Sequence, residues 1–159
     1  MKTITQIWKS LGGTNSVNKI VKNICGEQIG SGQFRDVYVL KDNPKYVVKI
    51  ERDPSRGMFI NVQEWTNFIN HRYTSIEKWL APCEFINETG QIMVQRRVVH
   101  KARKFYPTTI PYVFTDLKLN NFGWIGKRFV ACDYPLFIYN NKKKTRYAKW
   151  RPNDSVKKD

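Results

Sequence analysis

The sequence predicts an α+β domain: a five-stranded antiparallel sheet with one main helix, two extra helices ahead of it, and a mostly irregular region with a small hairpin behind it. Three observations carry this expectation. Apolar residues recur at helical spacing before residue 25 and again from residue 60. They alternate between turn signals over 26–51 and 83–99. A 41% apolar and 14% aromatic share suits a packed core rather than a disordered chain, and 159 residues suffice for one compact unit.

Along the chain, Ile4, Ile7, Trp8 and Leu11 follow the i, i+3, i+4, i+7 rule, and Gly12-Gly13 offers the left-handed geometry that stops a helix. Val17, Ile20, Val21 and Ile24 repeat the spacing behind Ser16, a good N-cap, with Gly26 expected to close the segment. The texture then changes to "GEQIGSGQFRDVYVLKDNPKYVVKIE". Alternating Val37 and Val39, then Tyr46, Val47 and Val48, lie on either side of the Asp42-Asn43-Pro44 turn and read as part of three antiparallel strands. Ile60, Trp65, Phe68 and Ile69 mark one face of the main helix, with a short continuation over 75–80.

"CEFINETGQIMVQRRVV" is a hairpin turning at Glu88-Thr89-Gly90, which brings the sheet to five strands. Pro107 and Pro111 forbid a long helix over 100–114, because each ring removes an amide donor and crowds the preceding turn. Residues 122–125 and 128–132 form a small hairpin at Gly126-Lys127. The basic tail is expected to fray apart from Tyr147 and Trp150, which have the apolar surface to dock. The organisation is therefore a helical extension (1–25), a sheet-and-helix lobe (26–97), a reduced lobe (98–140) and a tail (141–159).

With 28 Lys and Arg against 13 Asp and Glu, the net charge of +15 attracts phosphates, nucleic acids, acidic lipids and acidic proteins alike. Cys25, Cys83 and Cys132 are scattered and odd in number, which fits free thiols in a reducing cytoplasm rather than a disulfide framework. His71 and His100 stand apart from each other and from any Cys pair, so a zinc site lacks its ligand set. No apolar run approaches the roughly 18 residues of a membrane span, and the N-terminus is too polar for a signal segment. A non-membrane, unexported protein is expected.

The chemistry concentrates in "FTDLKLNNFGWIGKRFVACDYP", where Asp116, Lys118, Asn121 and Asp133 interrupt apolar strands. An Asn amide oxygen and a carboxylate at the two ends of a hairpin suit a hard cation such as Mg2+, which takes oxygen ligands and leaves positions for phosphate and water. Asp116 is then free to accept a proton from an attacking hydroxyl, and Lys118 to neutralise charge on a transferred phosphoryl group.

Here the chain resembles the protein kinase-like superfamily, whose catalytic loop reads D-L-K-x-x-N ahead of a D-F-G metal motif. Ile29-Gly30-Ser31-Gly32-Gln33-Phe34-Arg35-Asp36-Val37 looks like its glycine-rich loop, and Val47-Val48-Lys49 like its V-A-I-K strand. The resemblance implies that Gly30, Ser31 and Gly32 close over the phosphates of ATP, Val37 covers adenine, and Lys49 pairs with phosphates while Glu64 holds it. Gln95 would lie at the hinge beside adenine. Asp116 would be the base, Lys118 the charge stabiliser, and Asn121 and Asp133 the magnesium ligands. Each piece alone suits an ordinary turn, strand end or helix face; their order over 26–135 carries the resemblance.

The sequence also departs from that pattern. Arg35 replaces the third glycine, so the loop closes differently or uses the guanidinium on a phosphate. Phe114-Thr115 replaces the usual His-Arg or His-Gly, Pro135 replaces the glycine of D-F-G, and no room remains for the long helices of an ordinary second lobe. The exposed underside is expected to be covered by the N-terminal helices, by the tail, or by a second copy of the chain in a homodimer.

Three functions follow. The first is an ATP- and Mg2+-dependent phosphotransferase acting on a protein hydroxyl. The second is a pseudokinase that binds and regulates a partner protein, and the third a nucleic-acid-binding protein using "KKKTRYAKWR". The small size and pared-down motifs resemble a viral gene product, for which the compartment would be the host cytoplasm.

Overall fold

The structure, a computed structural model, describes residues 3, 5–6, 16–52, 58–139 and 144–152. Of the first expected helix, Ile4, Ile7, Trp8 and Leu11 lie outside the described residues. At its start Thr3 and Gln6 exchange reciprocal backbone-to-side-chain hydrogen bonds of 2.9 and 3.2 Å, the capping-box arrangement.

Helix α1 (Val17–Ile24) leads directly into β1 (Cys25–Ser31), followed by β2 (Arg35–Leu40), β3 (Tyr46–Glu51), helix α2 (Ile60–Asn70), β4 (Cys83–Ile86) and β5 (Ile92–Arg96). The five strands form one antiparallel sheet in the order β1-β2-β3-β5-β4. The expected α+β class and strand number are observed. Asn43 closes the β2–β3 turn by donating to Leu40 O at 3.1 Å. Gly90 supplies a φ of 74° between β4 and β5, which a side chain would resist.

Gly26 does not close α1. Cys25 is already extended and takes the C-cap, so the helix passes into the strand without a left-handed residue. Ser16 holds the N-cap through its carbonyl, which accepts the Ile20 amide at 3.0 Å, with no side-chain cap bond.

Strand alternation divides the sheet into two unlike faces. Leu40, Val48, Ile50, Ile92 and Val94 point one way and bury Ile20 and Ile24 of α1. The neighbouring positions Arg35, Lys49, Glu51 and Gln95 are buried on the other face, toward α2 and the C-terminal half. Because both faces are covered, β3 is buried along nearly its whole length, its two charged residues included. On α2, Ile60 and Phe68 are buried as expected, but Ile69 is 39% exposed while Asn61 and Glu64 are fully buried. Polar groups therefore occupy the inward face.

The C-terminal half contains β6 (Thr109–Pro111), the hairpin β7 (Phe122–Ile125) and β8 (Arg128–Ala131), and β9 (Thr145–Tyr147). Among the described residues, helical structure here is confined to 3-10 turns at Arg103–Phe105 and Leu119–Asn121; another, Glu77–Trp79, stands for the expected continuation of α2. Gly126, at φ 62°, turns the β7–β8 hairpin.

Two expectations are corrected here. α1 covers the back of the main sheet, and the described tail is built into the C-terminal half: β9 pairs with β6, and Trp150 is 8% exposed. The Trp150 Nε1 donates to Pro107 O at 2.8 Å, and its ring meets Tyr106 and Phe122 edge-on. Tyr147, expected to dock, is 82% exposed because strand alternation turns it outward. Among the described residues, no helix is long and apolar enough to cross a membrane.

The packing predicts that Ile20→Ala lowers the unfolding free energy by about 2–5 kcal/mol and Trp150→Ala by about 3–5 kcal/mol. Urea denaturation measures both, and a loss below about 1 kcal/mol in either would show that the helix or tail is not seated as described.

Candidate functional site

Lys49 faces α2 because Val48 and Ile50, its neighbours on β3, face α1. Its ammonium donates to Glu64 Oε1 at 2.9 Å, to Glu64 Oε2 at 3.0 Å and to Cys132 O at 2.5 Å. All three donors are thereby used. Glu64, with 0% of its side chain exposed, also accepts from Gln95 Nε2 at 3.0 Å and from Arg35 Nη1 at 2.5 Å.

Arg35 enters the site from β2, on the same side as Val37, its neighbour two residues on. Besides Glu64, it reaches Asn61 Oδ1 at 3.1 Å and, through Nη2, Asp133 Oδ1 at 2.5 Å. Asn61 returns its amide hydrogens to Lys49 O at 3.2 Å and Gln91 O at 2.8 Å. Glu51 Oε1 accepts the Asn61 backbone amide at 2.5 Å and caps α2, whose own N-cap residue, Phe59, supplies no side-chain acceptor. The helix is thus fastened to β3 by polar contacts at its first turn.

Burial raises the pKa of Glu64, but the adjacent Lys49 and Arg35 charges outweigh it and hold the carboxyl below the usual range. Burial disfavours the Arg35 cation, yet Glu64 and Asp133 keep it more firmly protonated than usual. The three cysteines are free, and burial pushes each thiol up to about 12, so none is a thiolate at neutral pH.

Beside this cluster, Asp116, Asn121 and Asp133 line one cleft of about 100 Å³ walled by Phe114, Phe122 and Tyr134. The Asn121 carbonyl accepts the Cys132 and Asp133 amides at 2.8 and 3.3 Å, which brings the two ends of the β7–β8 hairpin together. Asn121 Nδ2 donates to Asp116 O at 3.2 Å, leaving Oδ1 as the acceptor for an ion. Among the described residues, no three His, Cys, Asp or Glu side chains converge on a metal position. A cation would therefore rest on the Asn121–Asp133 pair and complete its shell with phosphate and water, a donor set that suits magnesium.

The tail holds the Asp116 loop from outside. Arg151 N donates to Leu117 O at 2.9 Å, and Arg151 O accepts from Leu119 N at 3.1 Å. The Arg151 guanidinium donates to Asp116 Oδ1, while Lys118 Nζ lies 3.9 Å from Asp116 Oδ2.

Gly30 and Ser31 end β1, and Gly32 opens the turn to β2, donating its amide to Arg35 O at 2.9 Å. Arg52 fastens this hairpin, donating to Ser31 Oγ and lying 2.6 Å from Asp36. Neither Gly30 nor Gly32 has a positive φ, and a Cβ on either would stand at ordinary van der Waals distance, 3.4 and 3.7 Å. The fold itself does not demand glycine at either position. Val37 sits opposite Lys49 in register.

The structure therefore gathers Lys49, Glu64 and Asp133 in one cluster and Asp116, Asn121 and Asp133 around one cleft, with Lys118 beside Asp116. Gln95, expected at the edge of an adenine site, is fully buried and serves Glu64 instead. Sequence reasoning missed the inward turn of Arg35, legible from its parity with Val37, and Asn61 and Glu51. It also missed Arg151, whose role no local pattern carries. The chain matches no protein-family model and no curated protein.

The depressed Glu64 pKa fixes a sign. Its contribution is complete above the ordinary value of about 4.3 and is lost as pH falls through the lower folded value. Glu64→Gln should cost about 3–5 kcal/mol at neutral pH, by leaving two buried cations short of a carboxylate, and should flatten the acid limb of stability against pH. Urea titrations across pH test this; parallel acid limbs would contradict it.

Proposed function

We propose that the chain is an ATP- and Mg2+-dependent phosphotransferase of the protein kinase-like type, acting on a protein hydroxyl. The observation that carries this reading is the Lys49–Glu64 pair, at 2.9 Å, whose lysine also bonds the carbonyl next to Asp133. On this reading Lys49 would turn to phosphate, Asp133 to metal and Asp116 to the proton, with the two aspartates lining the cleft and Lys49 bonded beside it.

Magnesium, when bound, would supply positive charge to offset that of the phosphates. Asn121 and Asp133 would hold it, and the backbone at Gly30, Ser31 and Gly32 would approach the phosphates from above. Asp116 would accept the proton of the attacking hydroxyl, whose oxygen forms the new bond to the γ-phosphorus as the bond to the bridging oxygen breaks and ADP leaves. Lys118, beside Asp116, would neutralise the transferred group. Arg35 and Lys49 face three carboxylates, Glu51, Glu64 and Asp133. The cluster thus has one negative charge in excess, which favours the arrival of a divalent cation with its nucleotide.

A second reading, a pseudokinase that binds and regulates a partner, is favoured by the engagement of both aspartates: Asp133 by Arg35 and Asp116 by Arg151. If those ion pairs persist with nucleotide present, the pocket serves binding alone.

Transfer from labelled ATP to protein should require magnesium and fall at least about 100-fold in Asp116→Ala and in Asp133→Ala. Transfer unaffected by both changes refutes the assignment. Magnesium-dependent thermal stabilisation by ATP without any transfer selects the pseudokinase.

A further inference from the structure

We infer that the C-terminal half carries a binding face for single-stranded nucleic acid, built from three chain segments around one aromatic cluster. The inference does not depend on phosphoryl transfer in the cleft.

Charge is divided unequally along the chain. Residues 89–152 contain fourteen Lys and Arg and only two carboxylates, Asp116 and Asp133, so this part carries +12 of the total +15. Both carboxylates are already engaged in the site, Asp116 by Arg151 and Lys118 and Asp133 by Arg35. Among the described residues, no ion pair forms to Lys101, Arg103, Lys104, Lys127, Arg128 or Lys149, and all six are exposed.

Folding brings these cations together. Val99 and Trp124 exchange backbone hydrogen bonds of 2.9 Å, which lays the basic run 96–104 along the β7–β8 hairpin that carries Lys127 and Arg128 at and beside its turn. Lys101 Nζ stands 5.0 Å from the Trp124 ring. Trp124 packs on Tyr106 at 4.9 Å, and Tyr106 on Trp150 at 5.1 Å. Lys149 lies between Ala148, which donates to Thr108 O, and Trp150, which donates to Pro107 O. It therefore sits beside the chain that follows Arg103 and Lys104. Segments 101–104, 127–128 and 149 thus rim one buried aromatic box.

Gathering like charges without counterions opposes folding, so an external polyanion is the natural complement. Exposed rings beside the cations favour nucleic acid over an acidic protein. Phe105 is 59% exposed with Lys104 Nζ 5.2 Å from its ring, and Tyr147 is 82% exposed two residues before the exposed Lys149. Flat faces of this kind stack on unpaired bases, while the cations follow the backbone phosphates. Trp150, the more obvious stacking residue of the tail, is buried and serves the core.

Anisotropy of fluorescein-labelled oligo(dT), titrated with the full chain at several salt concentrations without ATP or magnesium, tests the inference. Affinity should fall steeply with salt. Lys101→Glu/Arg103→Glu/Lys104→Glu and Lys127→Glu/Arg128→Glu should each weaken binding by about tenfold or more and reduce the salt slope by roughly 0.7 for every phosphate no longer neutralised. Lys19→Glu/Lys22→Glu on α1 changes net charge as much as the second set and should have little effect. Phe105→Ala and Tyr147→Ala should weaken binding to oligo(dT) but not to polyglutamate. Circular dichroism and thermal midpoints verify that each variant is folded. Equal losses from the α1 pair would reduce the effect to net charge and overturn the inference. Equally tight binding of polyglutamate, with both aromatic variants without effect, would overturn it in favour of an acidic protein.

Discussion

The structure depends on burying the Glu64 carboxylate between two cations. Removing such charges from water is costly, and the cost is offset only when every donor and acceptor finds a partner. Lys49 uses all three donors, and Glu64 accepts from Lys49, Arg35 and Gln95. The partners come from β2, β3, α2 and β5, with the segment after β8 contributing Cys132 O and Asp133. None of these elements satisfies its own inward polar group, so the sheet, the helix and the C-terminal half must dock together. This explains why α2 carries Asn61 and Glu64 where an ordinary amphipathic helix would carry Leu or Ile.

The same constraint sets the electrostatics of the cleft. Arg35 links Glu64 to Asp133, and Arg151 rests on Asp116, so both cleft carboxylates are already matched to arginines from elsewhere in the chain. On the phosphotransferase reading, a ligand bringing phosphate and a divalent ion would exchange one set of charge partners for another instead of creating a charged site from nothing. On the phosphotransferase reading this makes Arg35 a ready phosphate partner, and on the pseudokinase reading a lock. The two differ in whether Arg35 releases Asp133 and Arg151 releases Asp116.

With little helix in its second half, the chain supports the Asp116 loop by other means. The tail pairs with β6 through β9, buries Trp150 among Tyr106 and Phe122, and meets the loop backbone on either side of Lys118. Aromatic packing and a few backbone hydrogen bonds take the role that a helical platform would otherwise fill. The cost is a surface dense in cations, because the two carboxylates of residues 89–152, Asp116 and Asp133, are both in the cleft.

By itself the sequence determined what local physics controls. The strands follow from alternation in "VYVL" and "YVVKIE", the turns from Asp42-Asn43-Pro44, Gly90 and Gly126, and the candidate polar residues from their placement among apolar neighbours. A side-chain period of 2.0 or 3.6 is a property of a few adjacent residues, so it is legible without the rest of the chain. Only the tertiary structure decided that Arg35 and Gln95 turn to Glu64, that α1 covers the back of the sheet, that Trp150 is buried while Tyr147 is not, and that Arg151 meets Asp116. Each of these joins residues far apart along the chain, and which partner satisfies a buried charge or an apolar face is fixed only when all the elements compete for the same space.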